Sequence, residues 1–199
     1  MAAKRLSHDL RKNAVVKAAM AVFAEKGFKG ARTADLAEAA GVSEATIFKL
    51  FPDKKGLYEA ILERKLKEMD ALPLPFPEGE GPLTEAALEK AALGIIEHTE
   101  ANPTFMRLLF FSGLENSPFA RMFFQKHLPR RIRDRACDLA RKTAGRAGID
   151  PHIAAVAFHG MIIHYLILRQ IFREPVARKI PKQAMARAIA RIFLKGIEG

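Results

Sequence analysis

The chain has 199 residues, of which 49% are apolar and 28% are charged, and this balance is ordinary for a globular protein of one or two small domains. Lys and Arg outnumber Asp and Glu by 33 to 22, and the sequence pI is near 10. This surplus favours a phosphate-rich partner, although a merely basic solvated surface gives the same numbers. The start MAAKRLSHDLRKN lacks the apolar region of a secretory signal, and we expect no membrane span or membrane partner and a cytoplasmic location.

Helical periodicity dominates the chain and the signals of β-structure are missing, so the sequence predicts an all-α fold of about nine helices. The first helix is predicted over residues 8–26, with a glycine C-cap at Gly27. Four prolines and two glycines predict a loop over residues 71–82. Later helices are predicted over residues 83–101, 103–113, 118–147 (with a kink at Pro129), 151–173 and 181–195. The single cysteine, Cys137, excludes an internal disulfide and is interpreted as structural.

The segment Thr33 to Phe51 is predicted to form two short helices joined by a tight turn. Helices that cross through a turn of ~3–4 residues need a small side chain at the crossing and a residue that tolerates positive φ. Ala37 and Gly41 occupy those positions, and Ser43 follows as a helix N-cap. This spacing favours a helix-turn-helix, which places its second helix in the DNA major groove, over a hairpin used only for packing.

The outer surface of the second helix is mostly small or polar, as entry into a groove requires, and its side chains are Ser43, Glu44, Ala45, Thr46, Phe48 and Lys49. Positive charge is concentrated nearby, because residues 1–55 hold 11 basic and 6 acidic side chains, a surplus of +5 out of +11 for the chain. Asp53 is the predicted N-cap of the next helix, with Lys54 in its first turn.

The last two predicted helices carry more apolar surface than a subunit of this size is expected to bury. The helix that begins at Pro151 has two neighbouring apolar stripes, which leave little polar circumference. We therefore expect these helices to meet their symmetry mates in a homodimer interface that contains Ala157, Gly160, His164, Leu168, Ala188 and Ile192. Burial within one subunit is the alternative.

The motif residues resemble the N-terminal signature of the tetracycline-repressor-like (TetR) family of bacterial transcription regulators, and they are Phe23 to Phe28, Thr33 to Ser43, Thr46 to Phe48, Phe51, Lys54 and Leu57. The resemblance implies a homodimer whose three-helix DNA-binding domain, residues 1–55, binds a palindromic operator in double-stranded DNA. It also implies a helical domain, residues 56–199, that dimerises and binds a small-molecule effector. Repression relieved by the effector is the mode that the family suggests.

The resemblance also implies roles for three residues outside the second helix. Thr33 is similar to the family's phosphate-contacting threonine, and Arg32 lies beside it. Lys54 matches a lysine that meets a phosphate together with a helix N-terminus.

Within the second helix the chain departs from the family at two positions. Phe48 stands where tyrosine is common, so a hydroxyl–phosphate bond is lost, and Ala45 stands where glycine is frequent. Glu44 either supports the helix dipole or accepts a hydrogen bond from a cytosine amine.

The effector is the least specified part of the sequence. Residues 105–124 hold six of the 14 phenylalanines, a density that suits either an apolar pocket or an ordinary core. The candidate ligand-binding residues are Phe105, Met106, Phe110, Phe119, Phe123, Phe158, Met161 and Tyr165. Residues 121–146 hold nine basic and two acidic side chains. Three interpretations of this basic run stay open: a solvated helix face, an additional contact with DNA phosphates, or a region that attracts an anionic amphipathic effector.

Two other classes of function compete with this interpretation. An all-helical enzyme is disfavoured, because the sequence shows no nucleophile–base set, glycine-rich phosphate loop or paired carboxylates. A scaffold or membrane-surface protein would use the basic helices but would not need Ala37, Gly41 and Ser43. The histidines lack the spacing of metal ligands, and we expect no metal and no cofactor.

Overall fold

The computed structural model describes residues 8–70, 83–115 and 150–198, together with residues 117, 120, 121, 123 and 125. Within these residues the chain is helical and no β-strand occurs, which confirms the predicted all-α fold. Nine α-helices lie in this part of the chain: α1 (His8–Gly30), α2 (Thr33–Ala40), α3 (Glu44–Leu50), α4 (Lys54–Asp70), α5 (Glu85–Glu100), α6 (Pro103–Leu114), α7 (Pro151–Leu166), α8 (Pro175–Lys179) and α9 (Lys182–Glu198). A π-helical turn, Ile167–Ile171, continues α7.

The described residues divide into two compact units. The first unit lies within Met1–Leu72 and Thr104–Gln125, and the second lies within Pro73–Pro103 and Lys126–Gly199. Helices α1 to α4 and nearly all of α6 belong to the first unit, whereas α5, α7, α8 and α9 belong to the second. The functional division at residue 55 stays a prediction.

Helix α1 is broken at Gly27, where φ is +71° and ψ is 176°, a backbone conformation that a side chain disfavours. The sequence predicted that the helix ends here, but one further turn continues to Gly30. Phe28 in that turn packs edge-on against Tyr58 with ring centroids 5.1 Å apart, and Phe23 packs against the same ring at 4.7 Å. These three rings join α1 to α4 in the core of the first unit.

Helices α2 and α3 are joined by the tight turn that the spacing predicted. Gly41 is left-handed, with φ +64° and ψ +34°, and the N–H groups of Gly41 and Val42 donate to carbonyls of the last turn of α2. Ala37 of α2 and Ile47 of α3 are both buried. The sequence prediction for this turn is confirmed.

Helix α4 starts as predicted. The Oδ1 atom of Asp53 accepts a hydrogen bond from the Gly56 N–H at 2.7 Å, so Asp53 caps the first turn. Leu57, Ile61 and Leu62 then fall on one side of the helix and are buried. This apolar side fixes α4 in the core of the first unit.

In the second unit α9 lies along α5. Ile189 and Phe193 of α9 are buried, and Phe193 meets Phe158 of α7 with ring centroids 5.0 Å apart. Three ion pairs link α5 to α9 at their edges, and they are Glu85 with Arg191 at 3.2 Å, Glu89 with Arg187 at 3.4 Å and Glu97 with Lys182 at 2.8 Å. Apolar burial therefore holds α9 against α5, and charge pairs border it.

Helix α7 bears on the expectation that no segment spans a membrane. The 21 residues from Pro151 to Ile171 are long and apolar enough to cross a membrane, by length and composition alone. A single helix of this kind is weak support for a membrane span, because core helices of soluble proteins have the same composition. Only 33% of its most apolar window is buried in this structure.

Several sequence predictions lie outside the described residues. They are the loop over 71–82, nearly all of the helix over 118–147 with the kink at Pro129, the interpretation of Cys137, the candidate Phe119, and the basic run over 121–146 apart from Arg121, Phe123 and Gln125.

We expect Gly41→Ala to lower the free energy of unfolding by about 1 kcal/mol, because a left-handed φ is strained for alanine. Gly113→Ala is the matched control, since an added Cβ meets no atom within 4 Å at either position and Gly113 lies within α6. That control is expected to gain about 0.5–1 kcal/mol from helix propensity. Urea unfolding followed by circular dichroism measures both, and equal values for the two variants would contradict the assignment.

Candidate nucleic-acid interface

One side of α3 is presented to solvent, and it is the side that the sequence assigned to DNA. Ile47 is buried, whereas the ring of Phe48 is 51% exposed although it is apolar. The remaining predicted residues of this surface are exposed or half-buried, and they are Ser43, Glu44, Ala45, Thr46 and Lys49. The structure therefore brings the six recognition-helix candidates together on one accessible surface.

The N-terminus of α3 is fixed by Ser43. Its Oγ atom accepts a hydrogen bond from the Thr46 N–H at 3.2 Å and lies 2.9 Å from the Thr46 hydroxyl. Ser43 is thus the N-cap that the sequence predicted. The hydrogen bond between the two hydroxyls fixes both side chains at the start of α3.

Arg32 and Thr33 lie at the start of α2, where Asp35 organises the first turn. The Asp35 carboxylate accepts from the Arg32 N–H at 2.9 Å and pairs with the Lys26 ammonium, also at 2.9 Å. The hydrogen bond from the Arg32 N–H is the largest cause, and the bond from Lys26 the second, of a pKa for Asp35 lowered to about 2. Neither Asp35 nor Lys26 was singled out from the sequence, although an acidic residue three positions after an N-cap is a helix-start signal.

Lys54 occupies a defined place in the first unit. Its ammonium donates to the carbonyl oxygens of Phe28 at 2.8 Å and Ala31 at 2.9 Å, and it lies 4.6 Å from the centre of the Phe28 ring. These contacts tie the start of α4 to the connection between α1 and α2. The predicted contact between Lys54 and a DNA phosphate stays a prediction.

Lys12 is a cation near α3 that the sequence reasoning missed. Its ammonium lies 5.4 Å from the centre of the Phe51 ring, directly after the end of α3. Lys12 is exposed, so it adds positive charge at this end of the recognition helix. No local sequence pattern indicates the proximity, because Lys12 lies in α1 and Phe51 follows α3.

The candidate ligand-binding residues fall into two groups. Phe105, Met106, Phe110 and Phe123 belong to the first unit, where the rings of Phe105 and Phe123 meet edge-on at 6.0 Å. Those of the second unit lie on α7, and they are Phe158, Met161 and Tyr165. The Tyr165 hydroxyl donates to the Ile180 carbonyl at 3.0 Å. The roles of these seven residues, and that of Phe119 outside the described residues, stay predictions.

The candidate dimer residues lie at the surface of the second unit. Ala157, Gly160 and His164 are exposed along one side of α7, and Leu168 in the π turn is half-buried. Ala188 and Ile192 are exposed on α9. The other apolar stripe of α7 is largely buried, with Ala154, Phe158 and Tyr165 inside the unit. The two stripes thus have different environments.

Known proteins resemble this chain in its N-terminal residues and over nearly its whole length. Residues 15–61 match the family described as "Bacterial regulatory proteins, tetR family". The HTH-type transcriptional regulator YvkB of Bacillus subtilis, itself uncharacterized, is 27% identical over 190 residues, which cover 92% of this chain and 95% of that protein. The HTH-type transcriptional regulator RutR of Escherichia coli is 34% identical over 109 residues, which cover 54% of this chain and 50% of RutR.

The fold as a whole is also found among solved structures. A candidate TetR-family transcriptional regulator from Mesorhizobium loti superposes with a TM-score of 0.70 at 21% identity, covering 96% of this chain and 98% of that one. At this identity the similarity shows a common fold. Together with the sequence matches, it bears out the resemblance noted in the helix-turn-helix residues.

We expect Asp35→Asn to reduce stability in a pH-dependent manner. The folded-state pKa of about 2 lies below the ordinary value of 3.8, so the carboxylate stabilises the fold fully above about pH 4 and loses that contribution as the pH falls towards 2. The difference in urea midpoint between wild type and Asp35→Asn should therefore shrink over this range. The exposed Glu38→Gln on the same helix is the matched control, and a difference independent of pH would contradict the role of Asp35.

Proposed function

Because the chain belongs to the TetR family of bacterial transcription regulators, we propose that it is a homodimeric repressor that leaves a palindromic operator when a small-molecule effector binds. The observation that carries the proposal is the exposed side of α3, held by the left-handed Gly41 before it and the Ser43 cap at its start. The ring of Phe48 on this side is apolar and half-exposed, and it could pack against thymine methyl groups in the major groove.

DNA contacts divide into those that position the protein and those that select bases. Lys49 and Phe48 lie on the exposed side of α3 and are proposed to reach the groove, with Ser43, Glu44, Ala45 and Thr46 around them. Arg32 and Thr33, at the N-terminus of α2, are proposed to hold phosphates, because backbone N–H groups and an arginine favour an anion there. Lys54 is proposed to hold a phosphate with its third N–H, since two are used by carbonyls.

The exposed apolar sides of α7 and α9 support the dimer. Ile153 on α7 is 62% exposed and Ile192 on α9 is 64% exposed, and the small residues Ala157, Gly160 and Ala188 lie near them in register on the same helices. Small side chains allow helices to approach closely, and large exposed aliphatic residues favour burial against a second copy. Such a dimer would place two α3 helices about one DNA turn apart, ~34–36 Å.

The effector is proposed to be an apolar or amphipathic anionic molecule. The phenylalanine-rich stretch over residues 105–124 adjoins the basic run over residues 121–146 in the sequence, and this combination of apolar and cationic side chains suits such a molecule. Thermal-shift and native mass spectrometry with long-chain acyl compounds address this directly. If these compounds neither stabilise the protein nor bind to it, the acyl class is excluded. The DNA-binding proposal would then stay intact.

Binding to selected duplex DNA should weaken steeply with salt, with a log–log slope of about −0.9 for each neutralised phosphate. Lys54→Ala is expected to weaken all duplexes alike and to flatten this slope by about one such increment, because a phosphate contact is lost. Lys49→Ala is expected to change the preferred sequence as well, by about 1–3 kcal/mol at the base it reads.

Lys55→Ala is the matched control for these two variants. Lys55 is exposed beside Lys54, and its ammonium pairs with Glu59 at 3.5 Å on the same helix. Fluorescence anisotropy over a range of salt concentrations provides the slopes, and sequencing of selected duplexes provides the preferences. If Lys54→Ala leaves the slope at the wild-type value, Lys54 does not contact a phosphate.

Wild-type protein should have twice the monomer mass of 22.1 kDa by light scattering at micromolar concentration. Ile192→Asp should convert it to the monomer, since a charge would be buried without a partner in the interface. Val176→Asp is the matched control, because Val176 is 66% exposed but lies on α8, outside the proposed interface. A monomeric wild type would refute the dimer.

A further inference from the structure

The break in α1 exchanges hydrogen bonds with α6. In an uninterrupted helix the Phe28 N–H would donate to the Ala24 carbonyl, four residues before it. Here the Phe28 N–H donates to Oε2 of Glu115 at 2.8 Å, and the Ala24 carbonyl accepts from Nε of Arg107 at 3.2 Å. The negatively charged carboxylate of Glu115 thus accepts from the N–H group at the break, and the positively charged guanidinium of Arg107 donates to the carbonyl group there.

Glu115 binds a second amide in the same place. Its Oε1 atom accepts from the Lys29 N–H at 3.1 Å, so one carboxylate holds two consecutive N–H groups. Hydrogen bonds to an ionised carboxylate are stronger than neutral ones. Gly27 leaves the space for this contact, since a Cβ there would lie 2.6 Å from Oε1 of Glu115. The glycine therefore serves both the backbone turn and the carboxylate.

The segment that Glu115 holds leads directly to α2. Lys54 donates to the carbonyl oxygens of Phe28 and Ala31, so the amides of this connection are bound by Glu115, directly after α6, and its carbonyls by Lys54 of α4. Arg32 and Thr33 follow at once. The carboxylate that holds the preceding amides lies 83 residues after Arg32 and 82 residues after Thr33 in the chain.

We propose that Glu115 is a positioning residue for DNA binding: its carboxylate holds the amides of Phe28 and Lys29 and thereby sets the start of α2 for its phosphate contacts. The inference rests on the proposed DNA-binding function and deepens it. It makes the C-terminal end of α6 a control point for operator affinity, because a shift of Glu115 releases the connection that carries Arg32 and Thr33.

The sign of the effect separates positioning from simple electrostatics. Removing an acidic side chain from a DNA-binding unit ordinarily strengthens DNA binding, because repulsion of phosphate is reduced. Glu115→Ala is expected to do the opposite and to weaken selected duplex binding about tenfold, in line with the loss of two hydrogen bonds to a charged group. The salt slope should stay at the wild-type value, since no phosphate contact is removed.

The test compares four forms of the full chain. Glu115→Ala removes both hydrogen bonds, and Glu115→Gln retains a carbonyl oxygen and should recover part of the affinity. Glu63→Ala removes an exposed carboxylate of α4 and should bind as well as wild type or better. Amide hydrogen exchange by NMR should show faster exchange at Phe28 and Lys29 in Glu115→Ala alone.

Each outcome is decisive. Tenfold weaker binding with faster exchange at the two amides and an unchanged slope supports the proposal. Binding of Glu115→Ala equal to wild type overturns it and leaves the DNA-binding function standing, whereas a wild type that selects no duplex overturns both. If Glu115→Ala fails to fold, Glu115→Gln carries the test, and its affinity must lie measurably below that of Glu63→Ala.

Discussion

The recognition unit depends on hydrogen bonds at the ends of short helices. Helix α2 has eight residues and α3 has seven, lengths at which a helix is not stable alone in water. Their orphan backbone groups are met by Asp35, Ser43 and the turn at Gly41. Burial of Leu36, Ala37 and Ile47 then adds the packing that such short helices need. With those ends satisfied, the outer side of α3 does not have to contribute side chains to the core.

Structural features that depend only on neighbouring residues could be predicted from the sequence, and the helix-turn-helix is built from such features. A glycine with positive φ, a serine cap and an aspartate cap each act within a few residues of their position, so local rules identified Gly41, Ser43 and Asp53. The two apolar stripes of α7 were also visible as periodicity. Which stripe faces inward was not, because that depends on the helices packed against it.

Contacts between side chains and distant backbone could not be predicted. The same glycine rule that succeeded at Gly41 predicted a helix end at Gly27, where the structure instead continues the helix after a break. The partner that makes this possible, Glu115, lies directly after α6, and nothing in the local sequence marks a carboxylate as a ligand of amides. Lys54 shows the same limit. The sequence predicted that its ammonium contacts a phosphate, but it did not indicate the two carbonyl groups before α2 to which that ammonium donates.

The ion pairs along α5 have a mechanical consequence for the second unit. Glu85 faces Arg191 and Glu89 faces Arg187, so the two helices run antiparallel with matched charge at successive turns. Partly exposed pairs of this kind contribute little free energy, but a slide of one helix turn would separate at least one of them and expose the buried Phe193 and Ile189. The charge pairs and the buried side chains therefore fit one register of α9 along α5.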